Sequence, residues 1–343
     1  MPKRVGYLYE HLCTWSNLYL AYSKACKHKK SKAETAEWMY SCESRLFELQ
    51  AELIEQRYAP RPYKYFTIQE PKERVISVAA FRDRVVHHAL INVIEPIFEA
   101  IFIKDSYATR KNKGLHLGVY ATQNYARSYQ WYLKLDIRKY FDSVSHEILI
   151  KLISQKIKDP KIITLCKSIL KNQTDSMGLA EDTGLPVGNL TSQFFANIYL
   201  NQLDHYVKQV LGYKGYVRYM DDFVLFSEDK ISLKRDLQLI ETFLAEKLKL
   251  QIKEKSVQIN RTNQGIPYLG YRVYPNLLRI RKENLRRCMK GLEKQEKLYL
   301  LGEIDGATLY QSTKSRLGFI DFADTQQLQK SIWGEGQKAG LTV

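Results

Sequence analysis

The chain is 343 residues long and 45% hydrophobic, which suits one large or two to three small domains around a real core and excludes a disordered polymer. No apolar run approaches a membrane span, and the opening Met1-Pro2-Lys3-Arg4-Val5-Gly6 lacks the apolar stretch of a secretory signal, so a cytoplasmic protein with no membrane partner is expected. A formal charge of +16 points to a polyanionic partner.

The first 58 or so residues are expected to be helical, with apolar residues at helical spacing through Trp15, Leu18 and Leu20, and again through Trp38, Leu46, Leu49 and Leu53. A break near residue 30 coincides with a basic cluster, Lys24, Lys27, Lys29, Lys30 and Lys32. Either a solvated helix face or a partner-binding surface accounts for that cluster. Five scattered cysteines (Cys13, Cys26, Cys42, Cys166 and Cys288) form no Cys-x-x-Cys pair and read as reduced thiols rather than a zinc site or disulfide framework.

After Pro60-Arg61-Pro62, a strand is expected over 63–68, a turn at Pro71-Lys72-Glu73-Arg74 and a returning strand over 75–78. Phe81-Arg82-Asp83-Arg84 leads into an apolar helix over 85–94 that should end near Pro96. Trp131 to Ile137 alternates like a strand, placing Lys134 and Asp136 on the face opposite Leu133 and Leu135. Ser143 or Ser145 should cap the next helix, and Thr191 or Ser192 should begin another after a glycine-bounded loop at 184–188. A further helix is expected through Leu237, Ile240, Phe243 and Leu244, a strand around Lys253–Val257, and a last hairpin at 268–273. A second basic cluster, Arg272, Arg279, Arg281, Lys282, Arg286, Arg287 and Lys290, is interleaved with Leu277, Leu278, Ile280 and Leu285, which reads as a helix gripping a phosphate backbone.

The chemistry concentrates at Tyr219-Met220-Asp221-Asp222, two adjacent acids between strand-like runs. Adjacent carboxylates repel and resist desolvation, and a divalent cation is the usual remedy. Leu135-Asp136-Ile137-Arg138-Lys139-Tyr140-Phe141-Asp142 ends another strand with a carboxylate of its own. Three acids on neighbouring strand ends suit two Mg²⁺ ions about 4 Å apart, the arrangement for nucleotidyl transfer. Asp142, six positions beyond Asp136, reads as a helix-capping residue outside that set.

Taken together, five segments in order resemble a reverse transcriptase: Pro71-Lys72-Glu73-Arg74 with Phe81-Arg82-Asp83-Arg84; the Asp136 strand; Gly184-Leu185-Pro186-Val187-Gly188-Asn189-Leu190-Thr191-Ser192-Gln193; Tyr219-Met220-Asp221-Asp222; and Tyr268-Leu269-Gly270. The resemblance implies an α+β right-hand polymerase fold, with N-terminal helices and fingers over 1–128, an antiparallel palm packed on helices over 129–272 that includes part of the fingers near 150–185, and a helical thumb over 273–343. It implies that Asp136 and Asp221 ligate two Mg²⁺ ions, that Asp222 completes the catalytic cluster, and that the Ile137 carbonyl adds an oxygen. Lys72 and Arg74 match residues that hold the nucleoside triphosphate. Of Arg82 and Arg84, one is expected to support the site and the other to pair with Asp83. Tyr140 matches an aromatic ring that excludes a 2′-hydroxyl; Phe141 is the alternative, and a core position is open to either. Lys253 or Lys255 is a candidate proton donor to pyrophosphate, against the plainer reading of an exposed lysine.

Where most reverse transcriptases carry Gln-Gly and then Ser-Pro, this chain has Val187-Gly188 and Ser192-Gln193, which resembles the enzymes of diversity-generating retroelements. The compact length, with about 70 residues after Gly270 and no appended endonuclease or maturase region, agrees with that subgroup. The resemblance implies a bacterial or phage-encoded enzyme that copies a template-repeat RNA into cDNA with errors at adenines, taking dNTPs and a primer strand and working with a small basic accessory protein. Val187, Gly188 and Gln193 would then border the nucleotide. Alternatives are a reverse transcriptase of a retron, group II intron or antiphage defence system, and a non-catalytic RNA-binding scaffold.

Overall fold

In the computed structural model, which describes residues 4–69, 73–172 and 182–326, the apolar spacing of the N-terminal region forms α1 (Leu8–Leu12), α2 (Trp15–Cys26), α3 (Ala33–Tyr40) and α4 (Cys42–Ile54). The lysine-rich stretch 27–32 separates α2 from α3, as the composition suggests. Thr14 caps α2 by accepting the Asn17 N–H. A hairpin of β1 (Lys64–Ile68) and β2 (Arg74–Val78) follows, paired so that Phe66 faces Ile76.

Next comes α5 (Phe81–Glu99), which packs along α2 and buries Val85, Val86, Leu90 and Ile94. The helix does not stop before Pro96 but runs through it to Glu99. Proline forfeits one helical hydrogen bond. The next turn offsets that loss by burying Phe98, which packs edge-on against Phe194 at 6.0 Å.

Beyond it lie α6 (Leu115–Ser128), β3 (Trp131–Asp136), α7 (Tyr140–Ser143), α8 (His146–Ser154), α9 (Pro160–Lys171), α10 (Leu190–His205), β4 (Tyr216–Tyr219), β5 (Asp222–Ser227), α11 (Lys230–Leu248) and β6 (Gln258–Arg261). Ser145 caps α8, and Asn189, earlier than either expected residue, stands at the start of α10. These strands form an antiparallel sheet in the order β4-β5-β3-β6. Alternation gives the sheet two buried faces. Leu133, Leu135, Phe223 and Leu225 face a core shared with α5, α10 and α11, while Tyr132, Val217, Val224 and Phe226 face a second core with α6.

The second core is closed by β7 (Ile266–Tyr268), β8 (Tyr271–Val273) and β9 (Leu278–Ile280), a three-stranded antiparallel sheet where the sequence reads as a single hairpin. Arg279 therefore lies on a strand, and the basic helix begins only with α12 (Lys282–Leu300), followed by α13 (Gly306–Asp321). Lys253–Val257 is also not a strand. The Lys253 N–H donates to the Asp136 carbonyl and the Ser256 hydroxyl folds back on the Lys253 carbonyl, making a tight helical turn at Glu254–Ser256 before β6. Among the described residues no helix is long and apolar enough to cross a membrane.

Candidate active site

Antiparallel pairing of β3 with β5 sets Asp136 directly opposite Asp222. On the other side of β5, Tyr219 faces Asp222, leaving Met220 and Asp221 as a two-residue turn. Met220 has φ 55°, the left-handed conformation tight hairpins demand. The Ile137 N–H, on a buried residue, donates to the Asp221 carbonyl at 3.2 Å and so ties the turn to the end of β3.

The three acids meet at one end of the sheet, and their electrostatics show the cost. Burial, and then the charge of Asp136, raise the Asp221 pKa above the usual carboxylate range. Burial also pushes Asp222 up to about 7; Lys134 opposes the shift, while Asp136 and Asp221 add to it. The Lys134 ammonium lies 2.7 Å from Asp222 Oδ1. Among the described residues no three acidic, His or Cys side chains surround a single metal position. Mg²⁺ does not require three, because it typically takes one or two carboxylates and fills its octahedron with water and substrate phosphates. The Asp136 carboxylate, the Asp221 carboxylate that it destabilises and the backbone carbonyl of Ile137 are a donor set of the hard-oxygen type that this ion prefers.

Beneath the turn lies a polar network with no counterpart among the sequence motifs. Arg218 is fully buried on β4 and grips Asp204 of α10 through two bonds, Nε at 2.7 Å and Nη2 at 2.6 Å. Burial alone would lower the Arg218 pKa; the Asp204 carboxylate outweighs it and raises the value. The remaining guanidinium protons go to Asn197 Oδ1, Ser106 Oγ and the Met220 carbonyl, at 3.0–3.1 Å. Tyr216 also donates to Asp204, at 2.8 Å. The acidic turn is thus held from below by an arginine whose donors are shared with α10 and the 105–109 segment.

The β1–β2 hairpin reaches the same place. Arg74, exposed at the start of β2, lowers the Asp221 pKa by its positive charge and so stands within electrostatic reach of the carboxylates. Lys72 lies outside the described residues. The Ser77 N–H donates to the Val187 carbonyl at 2.8 Å, joining β2 to the loop before α10. Gly188 has φ +111°, and a Cβ there would lie 2.8 Å from Ile76 Cγ2 and 3.1 Å from the Ser77 carbonyl oxygen, so only glycine lets the hairpin approach. Val187 and Gln193 are both half-buried, Gln193 in the first turn of α10.

Three expectations change. Tyr140 is buried, and its hydroxyl donates to the Ala196 carbonyl at 2.6 Å, so the ring is a core member with no face left for a sugar. Phe141, half-buried and edge-on to Tyr140, is the ring that remains partly open. Of the arginines, Arg82 makes the expected pair with Asp83 at 3.8 Å but otherwise bonds Glu52, and Arg84 meets Glu34 at 3.1 Å, so neither is engaged with the three acids. Asp142 sits inside α7 rather than capping a helix. Lys253 joins the site region through its backbone bond to Asp136.

Residues 68–273 match the family model described as reverse transcriptase (RNA-dependent DNA polymerase). The chain belongs to this family. The match runs from β1 to β8 and includes every candidate site residue. The reverse transcriptase is 27% identical over 266 residues to Protein YkfC of Escherichia coli (strain K12), covering 66% of this chain and 70% of that protein. It is 24% identical over 344 residues to the group II intron-encoded protein LtrA of Lactococcus lactis subsp. cremoris, covering 77% of this chain but only 56% of LtrA. Among solved structures, telomerase from Candida Tropicalis in complex with a TWJ fragment of telomeric RNA aligns over 83% of this chain and 58% of that chain, with 12% identity and a TM-score of 0.47.

Arg218→Met strands a buried Asp204 carboxylate and should cost about 3–5 kcal/mol in urea unfolding. Gly188→Ala combines positive φ with overpacking, and a loss of about 1–3 kcal/mol is expected in the same assay.

Proposed function

We propose that this reverse transcriptase is an active RNA-directed DNA polymerase, and that it serves a diversity-generating retroelement by copying a template-repeat RNA into adenine-mutagenised cDNA. The observation that carries the catalytic reading is the pairing of Asp136 with Asp222 beside the Asp221 turn, faced by the charge of Arg74. In this reading the β1–β2 hairpin belongs to the fingers, the four-stranded sheet is the palm, and α12 and α13 form the thumb. We place the thumb boundary after Ile280 rather than at 273, because β9 pairs with β8.

The reaction joins a primer 3′-hydroxyl to the α-phosphorus of a dNTP, forming a phosphodiester and releasing pyrophosphate. Two Mg²⁺ ions, held by Asp136, Asp221 and the Ile137 carbonyl with Asp222 alongside, would supply charge stabilisation for the entering and leaving oxygens. Arg74, with Lys72, would bind the triphosphate and orient it toward the acids. Phe141 would limit space at the sugar 2′ position. Val187, Gly188 and Gln193 would border the base pair, with Val187 offering a small apolar surface where a glutamine would hydrogen-bond.

Template contacts would run through backbone and 2′-hydroxyls, since a polymerase must accept any sequence. The basic α12 suits that task, and a small basic accessory protein would add specificity for one RNA. A group II intron-type reverse transcriptase is the second reading, favoured by the similarity to LtrA. A pair of imperfect repeats differing at adenines near the gene distinguishes the two.

Primer extension on RNA with Mg²⁺ should proceed with the unaltered chain and vanish in Asp221→Ala plus Asp222→Ala. Extension by both proteins removes the assignment of the site, and extension by neither leaves an RNA-binding scaffold. Val187→Gln should lower misincorporation opposite adenine by about tenfold if a lost contact of about 1.4 kcal/mol underlies the errors. Sequenced cDNA with the same error spectrum from both enzymes removes the mutagenic reading.

A further inference from the structure

Lysine is a costly occupant of a sheet buried on both faces unless its charge is met. Lys134 sits in the middle of β3 with its side chain 11% exposed, between Val224 of β5 and Gln258 of β6 in register. It shares a face with Asp136, two residues on, and lies diagonally across from Asp222, two residues before its partner Val224. That diagonal brings its ammonium to 2.7 Å from Asp222 Oδ1.

We infer that Lys134 is a positioning residue: its ammonium acts as a fixed counter-cation for Asp222, holding that carboxylate back from the metal positions and leaving Asp136 and Asp221 as ligands. The inference rests on the polymerase reading above and goes beyond it in giving adjacent acids of one turn different tasks. Two facts support the division. The ammonium is in ion contact with Asp222, whereas at Asp221 its charge is the last and smallest of the named influences. Asp222 is a strand residue locked in register between β3 and β4, whereas Asp221 rides the turn itself. The physical gain is a site whose charge is partly balanced before any cation arrives, so the apo fold does not bear three uncompensated carboxylates.

Direct Mn²⁺ binding to the nucleotide-free full chain, followed by electron paramagnetic resonance, tests this without reference to turnover. Asp221→Asn should weaken Mn²⁺ binding at least about tenfold, since it removes a proposed ligand; unchanged binding would overturn the metal assignment itself, separately from the role of Lys134. Lys134→Met should tighten Mn²⁺ binding about tenfold by releasing Asp222, and Lys134→Arg should leave it near the original value. The tightening should disappear when Lys134→Met is combined with Asp222→Asn. Unchanged or weaker binding in folded Lys134→Met overturns the inference. Should Lys134→Met fail to fold, Asp222→Asn decides: a loss smaller than that of Asp221→Asn supports the division, and an equal or greater loss ends it.

Discussion

The buried ion pair between Arg218 and Asp204 is the constraint on which the candidate site depends. An arginine with no solvent contact survives only if every donor is used, and here the acceptors come from α10, the 105–109 segment and the turn that bears Asp221. Such a pair contributes little net stability compared with a well-packed apolar replacement, yet breaking one half is severe. Its value is positional. Because Arg218 reaches the Met220 carbonyl, the φ 55° turn is held in a conformation that Met220 would not favour alone.

Around that foundation the molecule manages an excess of negative charge. Desolvation and mutual repulsion raise Asp221 and Asp222, and two cations answer from different directions: Lys134 from within the sheet and Arg74 from the β1–β2 hairpin. The hairpin can approach because Gly188 has no side chain and because Ser77 hydrogen-bonds the Val187 carbonyl. The residue proposed to influence fidelity is therefore also joined, through its backbone, to the strand that starts with Arg74. Changes at Val187 must be read with that coupling in view.

Much of the architecture is legible along the chain because local pattern and final environment agree. The alternation of β3 and the cap at Ser145 are examples. Where tertiary contacts override local preference, the sequence misleads. Pro96 should end α5, but burial of Phe98 carries the helix past it. Lys253–Val257 reads as a strand, yet the Ser256 and Val257 N–H groups bond back to the Lys253 and Glu254 carbonyls and close a helical turn. Tyr140 and Phe141 are adjacent aromatics, and nothing in their order tells that Tyr140 turns inward, where its hydroxyl donates to the Ala196 carbonyl.

The amino-acid order alone determined that acids stand at two strand ends and that basic and glycine-bearing segments recur around them in the sequence of a reverse transcriptase. Spacing of this kind survives in one dimension, since strand period and turn chemistry are local properties. Only the three-dimensional structure decided that Asp136 lies across from Asp222, that Lys134 takes the latter's charge, and that Arg218, Asp204 and Asn197 support the turn. Those partners are separated by 14 residues (Arg218 and Asp204) to 88 residues (Lys134 and Asp222) in the chain, and long-range pairing of buried charge leaves no periodic trace.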